Sequence, residues 1–161
     1  MSLVVEDGTG LATAESIISV AEANTYHSNR GNSSWLSLSI LVKEQLLRKA
    51  NDYLRQNFGT RWKGTLVEPL QGCDWPRHNI LYVVPPEMPA QVKNAVAELA
   101  FKANTVELNP DTTQVIKSEK IGPMTTTYDQ YSPQKTLFVS VEATLLPFLT
   151  AGGGVSVRLT K

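Results

Sequence analysis

SLSILVKEQLLRKANDYLRQNFG, Ser37–Gly59, is the stretch on which the fold turns. Within it Leu46, Leu47, Ala50, Tyr53 and Leu54 recur at the spacing of one helix face, while Lys43, Glu44, Arg48, Lys49 and Arg55 cover the other. A helix begins near Ser37 or Ser39, Gly59 closes it, and its apolar stripe needs partners. On the N-terminal side, Ser19-Val20-Ala21-Glu22 has capping-box spacing and predicts a helix to about Arg30, stopped by Gly31. On the C-terminal side, a helix starting close to Pro89 carries Val92, Val96, Leu99 and Ala103 and ends before Asn109-Pro110. Ser140 is expected to cap a short further helix through Leu149, strained near its end by Pro147.

The remaining segments punctuate these helices. Leu3-Val4-Val5 is a β-type run halted by Asp7-Gly8-Thr9-Gly10, and Asn32-Ser33-Ser34 reads as a polar connection. Between Thr60 and Met88, four prolines, two tryptophans and two glycines predict an irregular connection. Thr113 to Ile121 and Met124 to Tyr128, parted by Gly122-Pro123, carry a hairpin signature. Polar and Thr-rich, that hairpin suits either an arm lying on a neighbour or an edge of the same domain. Ala151 to Gly154 is a flexible hinge before a last β-type run, Val155 to Thr160. The expected class is mainly α with β: about four helices in a small bundle, with a hairpin arm over 113–131, short terminal strands and a flexible segment over 151–161. All 161 residues are expected to form a single domain.

Composition narrows the function classes. Apolar residues are 42% and charged residues 19%, which excludes a highly charged disordered chain. No apolar run approaches the roughly 20 residues of a membrane span, so no membrane partner is expected. The opening MSLVVEDGTG lacks the apolar core of a secretory signal, and the single cysteine, Cys73, fits a reducing cytoplasm. Lys plus Arg, 15, equals Asp plus Glu, 15, whereas a dedicated nucleic-acid binder carries a basic excess. The zero total hides a gradient. Met1 to Asn29 holds four acids and no Lys or Arg, while Lys43 to Lys63 is net +4, from six bases less two acids. Opposite fields of this kind could fix how copies of the chain meet, or simply belong to solvated helix faces.

Catalytic chemistry is sparse. His27 and His78 stand far apart with no carboxylate or cysteine at metal spacing, so no metal ligand set forms. Cys73 and His78 could pair as thiolate and base, but no oxyanion motif accompanies them. Gly152-Gly153-Gly154 lacks the Lys-Ser/Thr and the following helix of a phosphate loop. No catalytic residue and no cofactor are expected. The dense constellation is Arg61-Trp62-Lys63-Gly64 followed by Trp75-Pro76-Arg77. Two indoles flanked by Arg61, Lys63 and Arg77 offer faces for stacked bases and cations for phosphates, as a single-stranded DNA site requires. The competing reading has both tryptophans pinning an irregular loop onto the helices, with the bases turned outward.

Several stretches together carry a resemblance: VVEDGTGLATAESIISVAEANTY, Arg30-Gly31 with Trp35, KANDYL, RWKG, the WPR triplet and KSEKIGP over Lys117 to Pro123. In order along nearly the whole chain, they resemble tailed-phage structural-module proteins labelled DnaT-like single-stranded DNA-binding proteins, which are also similar to head–tail connector (adaptor) proteins. The connector likeness implies a ring of about 12 copies, a heterologous homo-oligomer beneath a portal protein. It also implies contacts with tail or neck proteins, a virion (neck) location after assembly in the host cytoplasm, and double-stranded DNA passing through the channel unheld. On that reading the strand Val155, Val157 and Leu159 docks onto the portal or a neighbour by strand addition. The neutral composition favours the connector function. The other implication of the likeness is a single-stranded DNA-binding replication module acting through Arg61, Trp62, Lys63, Trp75 and Arg77.

Overall fold

The central helix starts where a hydroxyl frees it to start. Ser39 accepts a hydrogen bond from the Val42 amide, and α3 runs Ile40–Phe58 up to Gly59. The computed structural model describes residues 2–110, 118–121, 124–127 and 138–150. Along α3 packs α4, Ala90–Ala103, whose Val92, Ala95, Val96, Leu99 and Ala100 are buried against it. The N-terminal helix α1, Val20–Ser28, crosses both, and its capping box is complete: Ser19 accepts from the Glu22 amide while Glu22 accepts from the Ser19 amide. Helix α5, Val139–Leu145, closes against α4 and tightens into a 3-10 turn, Leu146–Phe148.

Strands are few. Within the irregular segment, β1 (Thr65–Leu66) pairs antiparallel with β2 (Arg77–His78). Further on, β3 (Ser118–Ile121) pairs antiparallel with β4 (Met124–Thr127), Ile121 opposite Met124. The class is therefore the expected one, mainly helical with small antiparallel pairs. The buried residues form one cluster extending from Ala14 to Leu149. Of the expected hairpin arm, 113–117, 122–123 and 128–131 lie outside the described residues, as does the segment 151–161 with Val155, Val157 and Leu159.

Five local expectations are corrected. The polar Asn32-Ser33-Ser34 opens a one-turn helix, α2 (Ser33–Leu36), because that turn delivers Trp35 into the core. There the indole N–H donates to Asn24 Oδ1 at 3.0 Å. Lys43 does not lie on the solvated face of α3. It is 5% exposed, its ammonium 5.9 Å from the Trp35 ring centroid and donating to Leu36 O at 3.4 Å. Ser140 is inside α5 and does not cap it: the Glu142 amide already reaches Phe138 O at 2.9 Å, and Pro147 converts the last turn to 3-10 geometry short of Leu149. Leu3-Val4-Val5 makes only a single parallel bridge, Val5 to Ser16. The first helix also stops two residues early, at Ser28, with Asn29 as its cap and Gly31 at φ +70°.

One buried polar group makes the bundle sensitive to pH. His27 is fully buried between Trp35 and Phe101, with ring centroids 4.7 and 5.2 Å away. Its Nε2 faces Ala97 O at 3.1 Å, and a carbonyl only accepts, so Nε2 carries the proton. Nδ1 then accepts from Asn32 Nδ2 at 3.0 Å, and a proton there would face a donor. Burial lowers the His27 pKa from 6.5, outweighing the carbonyl of Ala97 and the charge of Glu98, which raise it, while Arg30 and Lys43 lower it further. The unfolded chain thus binds a proton that the folded chain refuses. Stability is expected to be full above about pH 6.5 and to fall as pH drops from there toward the depressed folded value, flattening beyond it. Urea titrations between pH 7.5 and pH 4.5 read this, the range being set about the ordinary histidine value. A slope across that window unchanged in His27→Phe would show that another group is responsible.

Candidate functional site

The five residues of the tryptophan constellation do come together, but Trp62, Trp75 and Arg77 face inward. Trp62 is 4% exposed and Trp75 1%. Their rings meet edge to face at 5.7 Å and 86°, Trp75 stands edge-on to Phe148 at 5.6 Å, and Phe58 lies 6.0 Å from Trp62. The Trp62 indole donates to Asp74 Oδ2 at 2.8 Å. Arg77 is buried and donates to three carbonyls, Lys63 O, Gly64 O and Asp74 O, at 2.8, 3.0 and 3.1 Å. Burial lowers its pKa, partly offset by Asp74. Arg61 pairs with Glu142 at 3.0 Å and lies over the Phe58 ring. These contacts fasten the 60–77 loop onto the 3-10 turn, helped by Lys63 N to Phe148 O and Thr150 N to Arg61 O. Neither indole has a face to give a base. Of the five, Lys63 alone is exposed, its ammonium donating to Pro147 O at 2.8 Å.

Cys73 and His78 do not form a reactive pair. The thiol is buried, contacts the Asn51 amide at 3.3 Å and is pushed up to about 12 by burial, so it stays protonated. His78 is exposed on β2. Among the described residues, no three His, Cys, Asp or Glu side chains gather at metal-binding separations.

What lies open is the next turn of the same irregular segment. Tyr82 is 93% exposed, the one aromatic of the described residues so displayed, with Leu81 and Val84 exposed beside it. Ile80 and Val83 bridge the base of this turn. Asn79 and Tyr82 both hold left-handed backbone, φ +60° and +62°, a costly state for a tyrosine. Packing of Ile80 into the core thus holds the neighbouring Tyr82 outward. A groove of about 560 Å³ runs along the turn, walled by Tyr82, Met88, Pro89, Phe148 and Pro147, with Lys63 at one end. Glu87 also lines it. In the sequence this surface is part of the irregular Thr60–Met88 connection, which has no period from which an outward face can be read. Its position among Pro85, Pro86 and Pro89, with no pairing partner nearby in sequence, was the available signal.

Comparison with known proteins places the molecule. The family model described as "Putative DnaT-like ssDNA binding protein" matches residues 1–161, the whole chain. No curated protein and no solved structure matches it. The match corrects the connector expectation: the family described is a DNA-binding one, and nothing found supports a portal ring, a virion neck or docking onto tail proteins. Zero net charge argues against a nucleic-acid binder only as a total, and a total says nothing about where charge and open aromatic surface sit. With its match running from the first residue to the last, the chain belongs to the DnaT-like ssDNA-binding family.

Proposed function

We propose that the chain is a single-stranded DNA-binding module of the kind used in replication, without catalytic activity, and that the strand lies on the Tyr82 groove, away from the buried indoles. The supporting observation is Tyr82 itself: an aromatic face held into solvent by strained backbone, beside an apolar groove with Lys63 at its end. Bases stack on such a face whatever their identity, and a lysine ammonium contributes a phosphate contact. A duplex keeps its bases stacked on one another and has none to offer. The family description points to the same ligand.

Fluorescence anisotropy with a labelled oligothymidylate of about 12 nucleotides, at physiological salt, tests the reading. Wild-type protein is expected to bind with a micromolar or tighter Kd. Tyr82→Ala should weaken binding about 5- to 150-fold, the equivalent of roughly 1–3 kcal/mol for one stacked base. Because Tyr82 touches solvent on nearly all sides, the substitution leaves the core intact, which a superimposable urea curve would verify. Absence of binding by the wild-type chain, or equal affinity in the variant, would refute the assignment.

A further inference from the structure

The Tyr82 groove shares a wall residue with a second cleft. That residue is Ala90, and the second cleft, of about 470 Å³, lies between α1 and α4. Ala21, Ala90 and Ala97 form its sides, so an extended chain can approach both helix backbones closely. At the far end sits Arg30, its guanidinium 3.5 Å from the Tyr26 ring centroid and donating to Tyr26 O at 3.3 Å. Tyr26 is in turn held by Glu98, to whose carboxylate its hydroxyl donates at 2.8 Å. Burial and Glu98 push the Tyr26 phenol up to about 12, so the ring stays neutral under its cation. Lys93, midway along the cleft, is engaged 2.8 Å from the Glu22 carboxylate. The two charges cancel locally, leaving Arg30 as the cleft's cation toward an incoming anion.

We infer that the bound strand continues from the Tyr82 groove across Ala90 into the α1–α4 cleft, where Arg30 takes a backbone phosphate. The inference rests on the single-stranded DNA reading above and adds the path of the strand to it. Arg30 suits the role because its planar fork is already oriented on the Tyr26 face and loses little freedom on binding. The contact is to phosphate and not to a base, since the guanidinium itself covers a face of that ring. Each cleft is within the ~300–1,000 Å³ typical of ligand sites, so the two in series hold a strand longer than Tyr82 alone can read.

The test compares oligothymidylates of about 4 and about 12 nucleotides on the full chain. Arg30→Ala is expected to weaken the longer strand about 3- to 10-fold and to leave the shorter one unchanged. The plot of log K against log salt for the longer strand should flatten by about 0.7, the loss of one phosphate contact, which a purely structural role for Arg30 would not produce. Ala90→Glu, a substitution that favours the start of α4, should weaken the longer strand by placing an anion at the junction. If Tyr82→Ala loses affinity while Arg30→Ala and Ala90→Glu keep wild-type affinity and salt slope, the strand stops in the first groove and the path is wrong. If the wild-type chain binds neither oligonucleotide, the single-strand reading itself falls and the path falls with it.

Discussion

Trp75→Ala is expected to lower the free energy of unfolding by about 3–5 kcal/mol, enough to leave a chain of this size partly unfolded. Trp75 is 1% exposed, and its ring is wedged edge-on between Trp62 and Phe148. Those three rings tie the 60–77 loop to the 3-10 turn, and Phe58 joins them to the end of α3. Truncation to a methyl group therefore loses the transfer energy of a large side chain and opens a cavity whose walls belong to three separate segments. The indole N–H has no acceptor among the described residues, so the cost comes from packing and not from a lost hydrogen bond. Urea denaturation should show the midpoint falling with little change in slope. Stability within about 1 kcal/mol of wild type would mean that the loop is held by other contacts. Any loss of DNA binding in this variant should track the fraction unfolded, whereas the loss in Tyr82→Ala should occur in a fully folded protein.

The second large effect is expected at Glu6. This carboxylate is 3% exposed and accepts three backbone hydrogen bonds: from Gly8 and Gly10 to Oε1 at 3.0 and 2.8 Å, and from Leu11 to Oε2 at 2.9 Å. The turn it gathers needs glycine, with φ +99° at Gly8 and +84° at Gly10. It also presses on the site: a Cβ at Gly8 would overlap Pro86, one at Gly10 would strike Glu68, and Leu11 O receives the Gly72 amide. Glu6→Ala leaves three donors without their partner, at about 1.5–3 kcal/mol for each bond to a charged group, so a loss of about 4.5 kcal/mol or more is expected. Glu6→Gln, which keeps one accepting oxygen, should recover part of it. Hydrogen exchange gives the local readout: the amides of Gly8, Gly10 and Leu11 should be protected in the wild type and exchange freely in Glu6→Ala. Unchanged protection there would show that another acceptor takes over.

The charge gradient along the chain illustrates how far linear reading reaches. Acidic residues before Asn29 and basic ones after Lys43 suggest attraction, and the structure satisfies some of it within one molecule, through Glu15 and Arg48 at 2.8 Å. That bond holds the Glu15 carboxyl below its ordinary range and raises Arg48 above its own. Lys49 likewise approaches Glu107 at 3.8 Å. Bases that could have met another copy of the chain, or lain on a solvated helix face, are thus met by acids distant in sequence, and only the fold discloses it.

By itself the sequence determined four of the five α-helices of the described residues and their order, the one-turn α2 being the exception. A capping box at Ser19, a three-and-four apolar spacing in α3 and Pro89 ahead of α4 act within a turn or two, and such short-range effects are written in adjacent residues. Family membership was legible for a related reason, since it rests on the run of residues along the entire chain. Tertiary structure alone decided which aromatics meet water. Trp62 and Trp75 are drawn inside because Phe58, Phe148 and Asp74 converge on them from three separate segments, while Tyr82 is held outside because Ile80, two residues earlier, takes the buried place. Burial is a property of what surrounds a side chain in space, and an irregular segment rich in proline and glycine has no period from which a facing direction can be read.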